Sequence, residues 1–111
     1  MKKSRNIKDV SHLFPKIKEY LQKVYSDRLE AVIIYGSFAK NKATEDSDVD
    51  IAVILKGDVN PSVEIDRVNN FISDLGLEYN ELITIFPVSL NEIKNSIWPL
   101  YKSLQRDGIP L

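Results

Sequence analysis

The chain contains no cysteine and only one histidine, His12. Without cysteine there can be no disulfide scaffold, no thiolate zinc site and no cysteine nucleophile. With one imidazole there can be no multi-histidine metal centre. Any metal must be held chiefly by carboxylates, which favours magnesium, calcium or manganese. No apolar run approaches the roughly 20 residues that span a bilayer. The lysines of the first ten residues are followed by no apolar stretch of the secretory kind, so no membrane role is expected and the cytoplasm is the default compartment. A charge excess of one sign is also lacking: 15 basic residues face 16 acidic ones, for a net charge of -1, which argues against a general nucleic-acid binder.

The 111 residues, 43% of them hydrophobic, suit a single folded domain spanning 1–111 rather than extended disorder. The charge is uneven along it. Residues 1–28 hold eight basic and three acidic side chains, and the remainder holds seven and thirteen. Residues 1–10 read as a polar, basic and flexible end. From Ser11 to about Tyr25, Leu13, Ile17, Tyr20, Leu21 and Val24 share one helical face, with Pro15 in the first turn. Leu29 to Tyr35, LEAVIIY, is a continuous apolar run of strand length, expected as a central strand. Asp48 to Leu55 is a second strand. Pro61 opens a helix to about Leu75, with Ile65, Val68, Ile72 and Leu75 buried and Gly76 at its C-terminal cap. Glu81 to Val88 is a third strand, and Pro87 marks it as an edge or its limit. Ser89 and Glu92 form a capping box for a short helix to about Ile97. A last helix runs from Pro99 to Gly108, burying Leu100 and Leu104. The result is a mixed α/β domain, with a small sheet of three to four strands flanked by helices.

The chemistry is concentrated in YGSFAKNKATEDSDVDIAVI, Tyr35 to Ile54. Aspartate is depleted in strands, yet Ser47-Asp48-Val49-Asp50 opens one. Residues at i and i+2 of a strand face the same side, about 7 Å apart, so Asp48 and Asp50 aim two carboxylates at one spot, the arrangement that a hard divalent cation neutralises. Just before them, Gly36 allows a tight turn and close approach of a phosphate. A short helix starting at Ser37 would turn N–H groups and a hydroxyl toward an anion. A phosphate cradle beside a carboxylate pair is what transfer of a phosphorus group requires. His12 reads as a surface or half-buried helix residue, Trp98 with Tyr101 as packing at a helix junction, and Tyr35 as core beside the turn.

The pattern G-S-x10-D-x-D, with an apolar strand before it and DVDIAVI after, resembles the nucleotidyltransferase superfamily of the DNA polymerase beta type. The small size resembles the minimal nucleotidyltransferases (MNT proteins). The resemblance implies that Gly36 and Ser37 hold the triphosphate, with Lys40 and Ser47 beside them. It implies that Asp48 and Asp50 bind Mg2+ or Mn2+, and that a nucleotidyl group, AMP from ATP, passes to an acceptor hydroxyl. MNT proteins are often paired with helical HEPN-domain proteins, toxins in some systems, which implies such a partner, an antitoxin-like role and homo- or hetero-oligomers. Where minimal members read G-S-x-A-R-G, this chain has Lys40, which keeps the charge without the guanidinium fork, and Asn41, able to adopt a left-handed backbone. Active members carry a third carboxylate on the neighbouring strand. Spacing from Ser89 puts that position at Thr84, which is no charged ligand. Glu81 is the acid inside the expected strand and the candidate third metal and catalytic ligand, although its odd register faces it away from Thr84 unless a bulge brings it round. A binding module without turnover is the alternative function.

Overall fold

The computed structural model describes residues 2–111; the expectation of a flexible end at Met1 lies outside them. The elements in chain order are α1 (Phe14–Tyr25), β1 (Leu29–Tyr35), β2 (Val49–Leu55), α2 (Pro61–Tyr79), β3 (Ile83–Ser89), α3 (Leu90–Asn95), α4 (Pro99–Asp107) and β4 (Ile109–Pro110). Short 3-10 turns precede α1 and join it to β1. The sheet runs β3-β2-β1-β4. β1 is antiparallel to both β2 and β4, whereas β2 and β3 are parallel, joined through the crossover helix α2.

Alternation along β2 divides the core in two. Val49, Ile51, Val53 and Leu55 face the larger cluster, with Ile17 and Leu21 of α1 and Val68 and Ile72 of α2. Ala52 and Ile54 face the other side, against Ile93 of α3 and Leu104 of α4. The sheet is therefore covered on both faces, which is why LEAVIIY and VDIAVIL are nearly continuously apolar. β3 is an edge strand, the place where Pro87 costs no ladder hydrogen bond.

Several local expectations are corrected. α2 continues one turn beyond Leu75, and Gly76 lies inside it. The cap is Asn80, left-handed at φ 55°. Glu81 N–H donates to the Gly76 carbonyl at 2.8 Å and Asn80 N–H to that of Leu77 at 3.4 Å, the paired bonds of a Schellman motif. Gly76 is required because a Cβ there would meet the Glu81 carbonyl oxygen at 2.5 Å. The residue that joins Val68, Ile72 and Leu75 in the buried set of α2 is Glu64, while Ile65 is exposed. Ser89 precedes α3 in extended conformation but makes no side-chain cap; Glu92 instead accepts the Tyr101 hydroxyl at 3.1 Å. In α4 only Leu104 is buried, and Leu100 is exposed.

Residues 2–10 follow a defined path with a largely exposed surface. Asn6 caps a 3-10 turn over Ile7–Asp9, and Val10 is fully buried. Arg5 N–H donates to the Ala43 carbonyl and Glu45 N–H to that of Lys3, each at 3.0 Å. The basic end thus forms a short antiparallel arm along residues 43–45, with a bridge between Ser4 and Thr44.

Candidate functional site

The site is built where β1 ends and β2 begins. After Tyr35 the chain reverses through turns over 36–41, not through the helix expected at Ser37. Lys40 N–H donates to the Gly36 carbonyl at 3.1 Å and Lys42 N–H to that of Ser37 at 2.8 Å. Gly36 stands at φ 74° and Asn41 at φ 59°, two left-handed positions suited to glycine and asparagine. Gly36 is also needed for space, since a Cβ there would run into the Asp50 carboxylate. The turn backbone and that carboxylate are therefore in direct contact.

Asp50 lies between Tyr35 on β1 and Thr84 on β3, its partners in the two ladders. Thr84 donates its hydroxyl to Asp50 Oδ1 at 2.7 Å. The parallel register thus sets the Thr84 hydroxyl, and not an acid, beside Asp50. Burial, and then the Asp50 charge, push the Tyr35 hydroxyl above its ordinary pKa, so Tyr35 is neutral beside the carboxylate. Its ring meets Phe86 at 6.4 Å, and Phe86 stacks on Tyr101 at 6.1 Å, forming an aromatic wall on the face that Asp50 shares with Ala52. Trp98 is 69% exposed rather than packed at the helix junction. His12 lies on the surface against Tyr79.

Asp48 immediately precedes β2 and is partly buried. It lines a polar cavity of about 370 Å³ with Arg5, Asp46, Ser47 and Glu81. Ser47 closes the preceding turn, its hydroxyl oxygen accepting Thr44 N–H at 2.8 Å. Lys40 is exposed, and its charge helps hold the Asp107 carboxyl below its ordinary pKa, behind the larger effect of Arg106. Glu81 lies two residues before β3, outside the strand expected to carry it, with both carboxylate oxygens on Arg5, at 3.0 and 2.5 Å. Among the described residues no three acidic or imidazole side chains are grouped so as to hold a metal.

What this donor set can hold follows from its chemistry. Asp50 keeps Oδ1 on the Thr84 hydroxyl and turns Oδ2 toward Gly36; Asp48 is the other carboxylate at the start of β2. Magnesium is commonly bound through one or two carboxylates, with phosphate oxygens and water completing its octahedron. Of the two aspartates, Asp50 is the one in contact with the Gly36 turn, where a cation ligand and a phosphate could meet, whereas Asp48 lines the cavity with Arg5 and Glu81. Sequence reasoning does not find Arg5: it acts through a partner 76 positions away, and no local spacing encodes such a contact.

The sequence matches the family described as "Polymerase beta, Nucleotidyltransferase" over residues 15–111. It is similar to two Methanocaldococcus jannaschii proteins. "Putative protein adenylyltransferase MJ0604" is 27% identical over 95 residues, covering 83% of this chain and 90% of that one. "Putative protein adenylyltransferase MJ0126" is 29% identical over 107 residues, covering 95% and 97%. The fold is similar to a Sulfolobus solfataricus crystal structure described as "a putative nucleotidyltransferase", with a TM-score of 0.61 at 22% identity, covering 94% of this chain and 83% of that one. No helix among the described residues is long and apolar enough to cross a membrane.

Proposed function

The chain belongs to the polymerase beta nucleotidyltransferase family, and on that premise we propose that it transfers AMP from ATP to a hydroxyl of a partner protein. The observation that carries this reading is the contact between the Gly36 turn and the Asp50 carboxylate, which brings the main chain of a tight turn and a hard cation ligand to one point. The names of the Methanocaldococcus relatives favour adenylyl transfer to protein. A helical HEPN-type protein is the proposed acceptor and the cytoplasm the proposed setting, which makes this chain antitoxin-like.

In this reading Gly36 admits the triphosphate, Ser37 donates its hydroxyl to a phosphate oxygen, and Lys40 supplies positive charge at the turn. Ser47 shapes the entry to β2. Asp48 and Asp50 hold Mg2+ or Mn2+, which when bound withdraws charge from the phosphate oxygens. Thr84 keeps the Asp50 carboxylate in a fixed orientation. The acceptor oxygen forms its bond to the α-phosphorus as the bond to the bridging oxygen breaks. Pyrophosphate leaves, and the hydroxyl proton passes to a site carboxylate or to water.

The second reading, a nucleotide- or partner-binding module without turnover, is favoured by one observation: Thr84, not an acid, stands beside Asp50. Glu81 would serve as a third ligand only after releasing Arg5. Label transfer from α-labelled ATP onto a candidate HEPN partner separates the readings. Transfer by the wild type that is lost in Asp48→Asn supports the enzyme. A stable complex without transfer supports the binding module.

A further inference from the structure

The loop over 43–47 leads directly to Asp48 and is held by three things: its hydrogen bonds to the N-terminal arm, the Ser47 hydroxyl on Thr44 N–H, and the first residues of β2. Arg5 is the residue of the arm that reaches furthest into its surroundings. The Arg5 main-chain N–H donates to the Ala43 carbonyl at 3.0 Å, fixing the loop. Its guanidinium lies 5.3 Å from the centroid of the Phe38 ring, the residue after Ser37. The same guanidinium holds both Glu81 oxygens at the corner between α2 and β3. One side chain with its backbone therefore touches the phosphate turn, the Asp48 loop and the entrance to the strand carrying Thr84.

The geometry points to Arg5 as a positioning residue for the metal and nucleotide site, acting through a clamp on Glu81. The clamp is partly dry, with the Arg5 side chain 20% exposed and that of Glu81 9% exposed. A planar bidentate pair in such a place fixes direction as well as distance. Without it, the Phe38 ring and the Glu81 corner would lose the side chain that joins them, and the Glu81 carboxylate would be unpaired in the cavity lined by Asp46 and Asp48. Partners hydrogen-bonded directly to a metal ligand typically contribute about 10–100-fold to affinity; Arg5 acts one contact further out, through the turn and the Asp48 loop, so the low end of that range is expected. The inference rests on the proposed metal site, and the experiment keeps the two separable.

Calorimetric titration with Mn2+ and α,β-methylene-ATP is run on wild type, Arg5→Ala, Arg5→Lys, Glu81→Gln, the Arg5→Ala Glu81→Gln double variant, and Asp48→Asn Asp50→Asn. Melting curves establish that each is folded at the titration temperature. Arg5→Ala is expected to weaken binding about 10-fold, with Arg5→Lys recovering part of the loss. Glu81→Gln should fall alongside Arg5→Ala, and their combination should be no worse than either alone. Affinity that is unchanged or higher in Arg5→Ala, at any melting temperature, overturns the positioning role. If Arg5→Ala does not fold, Glu81→Gln and Arg5→Lys carry the test, and wild-type affinity in both overturns it. Binding unaffected by the aspartate double variant, or absent from the wild type, overturns the metal reading and this inference with it.

Discussion

Thr84 donates its hydroxyl to Asp50 across the parallel β2–β3 pair at 2.7 Å, so the group beside the carboxylate is a neutral donor where a third metal ligand would be an anion. Thr84→Asp tests what that exchange does. Without metal, the variant places two carboxylates side by side and loses a hydrogen bond to a charged group, about 1.5–3 kcal/mol. With Mn2+ the new acid becomes a ligand. The variant should melt below wild type in chelator and recover on adding Mn2+, with transfer to the acceptor faster than in wild type. A deficit that Mn2+ leaves untouched would mean that position 84 does not face the ion.

Thermal shift addresses the carboxylate pair directly. A ligand that binds only the folded state at a hundredfold excess over its dissociation constant stabilises by about 2.7 kcal/mol. Mg2+ with ATP should therefore raise the wild-type melting temperature, and Asp48→Asn Asp50→Asn should abolish most of the rise. An equal rise in the double variant would place nucleotide elsewhere on the protein.

Gly36→Ala strikes the turn itself. Its φ of 74° disfavours any side chain, and the added methyl meets the Asp50 carboxylate. The strain is worth about 1–3 kcal/mol, visible as a lower urea midpoint. Because the displaced group is a proposed ligand, nucleotide-dependent stabilisation should fall further than stability does. Gly57→Ala is the control: φ there is 81°, but an added methyl would find no atom within 4 Å. It should lose stability and keep the ATP shift.

How far these features are legible in the sequence depends on the range of the interaction. β1 and β2 are buried on both faces, so their apolar runs announce them, and the aspartates interrupting the second run mark the site. Asn41 fits its left-handed turn, and Pro87 lies on the edge strand, because both report local backbone geometry. The 36–41 turns read as helix because Ser37 and Ala39 suit either conformation, and the closure rests on a longer bond from Lys42 to Ser37. Arg5 and Glu81 are illegible as a pair, since a guanidinium at a polar end resembles any solvated charge until the fold brings its partner to it. Glu64 is hidden for the same reason: an acid on the apolar face of α2 is explained only once Arg28 and Arg67 are placed.

That buried acid yields the last expectation, a pH dependence of stability. Glu64 is 5% exposed. Its carboxylate takes Arg67 Nε–H at 2.9 Å and lies 3.5 Å from Arg28 Nη1. Arg28 also donates to the Lys56 and Asp58 carbonyls, so the network ties α2 to the loop after β2. Burial pushes the Glu64 carboxyl up, but the Tyr25 hydroxyl and the two guanidinium groups outweigh it, leaving a net pKa below the ordinary 4.5. A depressed carboxyl contributes stability that is fully present above its unfolded pKa and is lost as pH falls through the folded one. Wild type should exceed Glu64→Gln by about 1.5–3 kcal/mol near neutral pH, and the gap should close as the pH is taken below about 4.5. Urea unfolding of both proteins from about pH 7 to about pH 3 spans that window. A gap that stays constant over that range would show that the difference does not come from the carboxylate's charge but from packing or hydrogen bonds that glutamine fails to reproduce.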